Sequence, residues 1–68
     1  MKYTIIIEKT NTGYSSYSPD LPGCVSTGRT LDDVKANMTE AIELHIEDMK
    51  LRHQRAPKPV SIAELVEV

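Results

Sequence analysis

The stretch Pro19-Asp20-Leu21-Pro22-Gly23-Cys24, continued through Val25-Ser26-Thr27-Gly28-Arg29-Thr30, decides how this chain folds. Each proline removes a backbone donor and drives the residue before it toward extended geometry, so residues 18–23 form a loop with few permitted conformations. Residues 24–27 leave that loop as a short strand. Thr30 then reads as a helix N-cap, with Asp32 and Asp33 placing negative charge where the free N–H groups of the first turn and the helix dipole favour it. Asp33 holds the third helical position of a capping box, with a side chain shorter than the usual Glu or Gln.

Upstream of this corner, residues 2–9 are rich in Ile with Tyr and Thr, which predicts a strand. Tyr3, Ile5 and Ile7 share one face and Thr4, Ile6 and Glu8 the other, so the second face is only partly polar and both are expected to be covered. Thr10-Asn11-Thr12-Gly13 is a turn cluster, and residues 14–18 resume alternation, completing a hairpin. Tyr14 and Tyr17 fall on opposite faces of the second strand. One is expected in the core and the other free for a subunit or partner.

Downstream, Leu31, Val34, Met38, Ala41, Ile42, His45, Ile46 and Met49 recur at three- and four-residue spacing, the signature of an amphipathic helix from Leu31 to about His53. Such a helix spans roughly 35 Å, whereas a seven-residue strand spans roughly 23 Å. The helix should overhang its sheet and end in a basic knob of Lys50, Arg52, His53 and Arg55. Pro57 and Pro59 stop it, and Leu65-Val66-Glu67-Val68 reads as a fourth strand. The expected fold is therefore α+β, in the order β-β-β-α-β, as a single domain over residues 1–68. The long helix packs on one face of the sheet, and the fourth strand lies parallel beside the first. Residues 54–59 resemble a linker but punctuate the domain without dividing it.

With 68 residues, no Phe and no Trp, the core must be thin, because a chain this short hides only about 60% of the surface its unfolded form exposes. Self-association, as a homodimer or higher homo-oligomer, is the expected completion, through a sheet-face contact of Ile and Tyr side chains. The net charge of −2 gives no general attraction to nucleic acid. One cysteine cannot form an internal disulfide, and the chain shows no N-terminal secretion signal or long apolar run, which points to the cytoplasm and away from membranes.

The run Tyr3-Thr4-Ile5-Ile6-Ile7-Glu8, then Gly13-Tyr14, Ser18-Pro19-Asp20-Leu21-Pro22-Gly23-Cys24, Gly28-Arg29-Thr30-Leu31-Asp32-Asp33 and Glu40-Ala41-Ile42-Glu43-Leu44 resembles the HicB family of antitoxins over nearly the whole chain. The resemblance implies a partial ribonuclease-H-like fold without the nuclease's metal-binding carboxylates. It also implies a non-enzymatic role: binding and neutralising a HicA-type toxin that cleaves messenger RNA, by occluding its active surface. Many members carry a C-terminal helix-turn-helix or ribbon-helix-helix domain. This sequence departs from that pattern at Val68, which makes direct DNA binding doubtful.

Two other readings stand beside it: an oligomeric binding or regulatory module of the same fold with no cognate toxin, and a degenerate nuclease-like enzyme using Asp20 or Glu8. The candidate chemistry is sparse. Cys24 as a nucleophile needs a base or cation, and its sequence neighbours supply neither, so its expected role is structural. His45 and His53 lie about 12 Å apart on one helix, too far for a shared metal. Glu8, Asp20, Asp32 and Asp33 each have a turn, strand-end or helix-start role, so no metal or cofactor is expected. Tyr17, Pro19, Asp20, Leu21, Pro22, Gly23 and Cys24 either only turn the chain or also touch a partner. Glu40, Glu43 and Glu47 form an acidic stripe that is either a solvated face or a phosphate mimic facing a basic toxin.

Overall fold

A computed structural model describes residues 1–68 as three strands followed by one helix: β1 (Ile6–Lys9), β2 (Tyr14–Tyr17), β3 (Val25–Gly28) and α1 (Leu31–Leu51). The sheet order is β1-β2-β3, and both pairs are antiparallel. The first strand is shorter than its composition predicts. Residues 2–5 are held by side chains instead, with the Ser18 hydroxyl donating to the Thr4 carbonyl at 2.9 Å.

Alternation assigns the faces. Ile6, Tyr17 and Val25 stand opposite one another across the three strands, and Ile7, Ser16 and Ser26 form the adjacent row. Ser16 is buried and Tyr17 is exposed, so the row of Ser16 lies under the helix and the row of Tyr17 faces outward. α1 packs chiefly on β3 and less on β2, and the Asn37 amide donates to the Thr27 carbonyl at 2.8 Å to tie the two layers. Gly28 permits this approach. A Cβ there would lie 2.5 Å from the Val34 amide nitrogen.

The core is small. Leu21, Cys24, Val34 and Met38 are the only buried hydrophobic residues, and Tyr3, Ile5, Ala41 and Ile42 pack around them half-buried. Two core residues come from the loop between β2 and β3, so the proline-rich corner is a structural element of the interior.

Local chemistry sets both helix ends. The Thr30 hydroxyl accepts from the Asp33 amide at 3.1 Å, the expected N-cap. At the other end the Gln54 amide donates to the Met49 carbonyl at 2.8 Å and the His53 amide to the Lys50 carbonyl at 3.0 Å. That pair of bonds is the Schellman motif, and His53 takes the left-handed position at φ 59° that glycine usually fills. The helix therefore stops at Leu51 rather than near His53. His53→Gly is expected to relieve about 1 kcal/mol of backbone strain and to raise the melting temperature by roughly 4–8 °C, measured by thermal denaturation at fixed protein concentration.

The fourth strand read at Leu65-Val66-Glu67-Val68 is not formed. After the helix the chain is fastened at two points. The Tyr3 hydroxyl donates to the Pro57 carbonyl at 2.6 Å and the Thr4 hydroxyl to the Ser61 carbonyl at 2.9 Å. The Asp20 carboxylate accepts from the Ser61 amide at 3.2 and 3.3 Å and from the Ser61 hydroxyl at 3.0 Å. Beyond Ser61 every residue is exposed. A strand exists only as part of a ladder, and residues 62–68 pair with no strand of this chain.

Candidate functional site

The corner between β2 and β3 is built from two consecutive turns. The Leu21 amide donates to the Ser18 carbonyl at 3.1 Å and the Cys24 amide to the Leu21 carbonyl at 3.0 Å, while the Ser18 amide to Cys24 carbonyl bond of 3.3 Å closes the loop. Each turn has proline at its second position, where a fixed φ suits it. Gly23, at φ 82°, occupies the third position of the second turn, where type II geometry requires positive φ.

These turns split the motif into two surfaces. Asp20, Leu21 and Cys24 point inward and are buried, whereas Pro19, Pro22 and Gly23 face solvent. Tyr17 and Val25, at 42% and 66% exposed, extend the outward side onto the open face of the sheet. Of the seven motif residues proposed from sequence, Tyr17, Pro19, Pro22 and Gly23 are available to a partner. Asp20, Leu21 and Cys24 hold the fold.

Asp20 does more than form a turn: it is the acceptor that anchors Ser61, 41 positions away. Cys24 is buried, and burial pushes its thiol above the ordinary value of 9.0. The native state thus holds this proton more tightly than the unfolded chain does. The resulting stability is complete at neutral pH and is lost as the pH rises through the raised value. Alkylation of native Cys24 at pH 8 is expected to run at least about 100-fold slower than in the urea-unfolded chain, because the thiol is both covered and protonated. Mass-spectrometric trapping reads the rate, and equal rates in both states would contradict the assignment.

Glu40, Glu43 and Glu47 are all exposed along α1. Leu44 lies exposed among them, a feature that the apolar periodicity passes over because Leu44 stands off the core stripe. Glu43 and Glu47, with Lys50, also rim a groove of about 660 Å³ whose apolar lining is Met1, Tyr3, Ile5, Ile42 and Ile46. This groove runs between the start of the first strand and the second half of the helix. Sequence reading missed it as a site, since its residues looked like ordinary core positions and the helix covers them only in part. His45 is half-buried and His53 is exposed at the helix end. No group of three or more His, Cys, Asp or Glu side chains is gathered as a metal site, and no helix is long and apolar enough to cross a membrane. The surfaces so assembled offer apolar and acidic contacts.

A family model described as the HicB-like antitoxin of bacterial toxin-antitoxin systems matches residues 3–68. A chain of a solved HicA3 and HicB3 toxin-antitoxin complex superimposes with a TM-score of 0.76 at 37% identity, covering 88% of this chain and 70% of that one. An uncharacterised 14.9 kDa protein of Haemophilus phage HP1 is 44% identical over 66 residues, 97% of this chain and 50% of the phage protein. A UPF0150 protein of Synechocystis is 46% identical over 82% of this chain and 72% of its own length, and one of Thermoplasma acidophilum is 41% identical over 85% and 86%. The chain thus spans half of the phage relative and most of the other two.

Proposed function

The chain belongs to the HicB-like antitoxin family of bacterial toxin-antitoxin systems, and on that premise we propose that it binds a HicA-type, messenger-RNA-cleaving toxin and silences it by covering its active surface. The observation that carries this reading is the likeness, over 88% of the chain, to a component of a HicA3 and HicB3 complex. The geometry supports binding over catalysis. The sole cysteine is buried, and the exposed features include an apolar corner, an acidic helix flank and the basic helix end at Lys50, Arg52 and Arg55.

The corner formed by Tyr17, Pro19, Pro22 and Val25 is rigid before any partner arrives, so docking on it orders little chain and loses little entropy. The acidic flank complements the basic surface an RNA-cleaving toxin needs to hold its substrate. Such a partner places the protein in the cytoplasm, beside messenger RNA. The partial ribonuclease-H-like arrangement is part of the same proposal, with its sheet limited to the three strands β1-β2-β3.

Reversing Glu40, Glu43 and Glu47 to Lys is expected to weaken toxin binding at least about tenfold and to flatten its dependence on salt. Titration calorimetry at two ionic strengths checks this, and unchanged affinity and salt dependence would remove the acidic flank from the interface. The function itself is tested by co-expression with the neighbouring open reading frames. Rescue of growth from a toxic neighbour supports the antitoxin reading. Failure of every neighbour to arrest growth leaves the stand-alone binding module in its place.

A further inference from the structure

Residues 62–68 carry Ile62, Leu65, Val66 and Val68 on an extended arm, and Leu65 and Val68 are 102% and 117% exposed, so they touch nothing in their own chain. The arm does not leave at random. Ser61 is pinned to Asp20 and Thr4, which fixes its point of departure near the start of the first strand. β1 is an edge strand, and beside its leading residues lies the apolar groove lined by Tyr3, Ile5, Ile42 and Ile46. An open edge and a free apolar strand on one molecule are mutually complementary, and a two-fold axis satisfies both at once.

The amount of exposed surface points the same way. A folded monomer of 7.6 kDa is expected to expose about 4,300 Å², and this chain exposes 5638 Å². The excess of roughly 1,300 Å² exceeds the roughly 800 Å² per partner that a standard stable interface hides. Its radius of gyration, 13.0 Å, is likewise larger than the roughly 11 Å of a compact chain of this length.

We propose that two copies of this chain exchange their C-terminal arms, each laying residues 62–68 along the partner's β1 edge so that apolar side chains of the arm fill the groove between that edge and α1. Seven residues of arm extend about 23 Å, ample for the four residues of β1, which span about 13 Å. Glu64 and Glu67 of the arm meet Lys2 and Lys9 at the ends of the edge, while the groove's rim carries Glu43 and Glu47 beside Lys50. The open sheet face is a poorer seat, because its apolar row of Ile6, Tyr17 and Val25 is flanked by Glu8, Ser15 and Thr27.

Sedimentation velocity on the full chain up to about 1 mM is expected to show a dimer, and Leu65→Asp with Val66→Asp to raise its dissociation constant at least about 100-fold, two steps of tenfold. Both side chains are exposed in the isolated chain, so helical circular dichroism should stay unchanged. In a mixture of isotope-labelled and unlabelled protein, filtered NOE spectra should connect arm methyls of one copy to Ile42 and Ile46 of the other. A monomer at 1 mM, an arm variant that dimerises as well as the parent, or arm contacts confined within one copy would each overturn the proposal. None of these readouts involves a toxin, so their failure leaves the antitoxin reading standing, and failed toxin rescue leaves the exchange standing.

Discussion

Leu21→Ala is expected to destabilise the protein by about 3 kcal/mol, within the roughly 2–5 kcal/mol seen when a buried leucine is truncated and its neighbours relax only partly. Leu21 is fully buried and packs with Cys24 and Met38 at the centre of the core. A domain of this size has a total stability of only about 3–5 kcal/mol, so the loss removes most of it. Urea denaturation followed by circular dichroism, at one fixed concentration because association contributes to apparent stability, should find the variant largely unfolded at 37 °C. A midpoint within error of the parent would mean that the corner is peripheral and that the core lies elsewhere.

Gly28→Ala should cost a comparable amount for an opposite reason. Its added Cβ would stand 2.5 Å from the Val34 nitrogen, 2.8 Å from the Val34 Cα and 2.9 Å from the Asp33 carbonyl carbon, all of them backbone atoms. Backbone cannot rotate aside as a flexible side chain can, so the first turn of α1 must lift off β3. Overpacking of this kind costs about 1–3 kcal/mol, and the rigid neighbours place this position at the upper end. Gly23→Ala provides the control. There is open space around its Cβ, so only the left-handed backbone at φ 82° opposes the change, and the expected loss is nearer 1–2 kcal/mol. A Gly28 variant no less stable than the Gly23 variant would contradict the close approach of helix to sheet.

The parts of this fold that were legible in the sequence are those governed by residues close together in the chain. Thr30 caps the helix as its spacing to Asp33 predicts. Tyr14 and Tyr17 separate onto opposite faces because a strand has a period of two. Pro22 and Gly23 form the turn that their residue types demand. Reading failed where the partner lay far away. That Asp20 would hold Ser61 depends on two loops meeting across 41 residues, and nothing around Asp20 announces it. Leu65-Val66-Glu67-Val68 has the composition of a strand, yet composition supplies no ladder. The same separation divides the motif. Sequence alone groups seven residues from Tyr17 to Cys24 as one candidate site, and only folding shows that Asp20, Leu21 and Cys24 turn inward while Tyr17, Pro19, Pro22 and Gly23 stay outside.

The exposed corner and the acidic flank matter for function only if a toxin occupies them. The most direct measurement titrates the purified chain into RNA cleavage by the HicA-type toxin from its own host. The account predicts that cleavage falls linearly and stops when antitoxin chains saturate the toxin, with a stoichiometric complex recovered by gel filtration. Cleavage that continues unchanged at a tenfold molar excess, with no complex recovered, would contradict it.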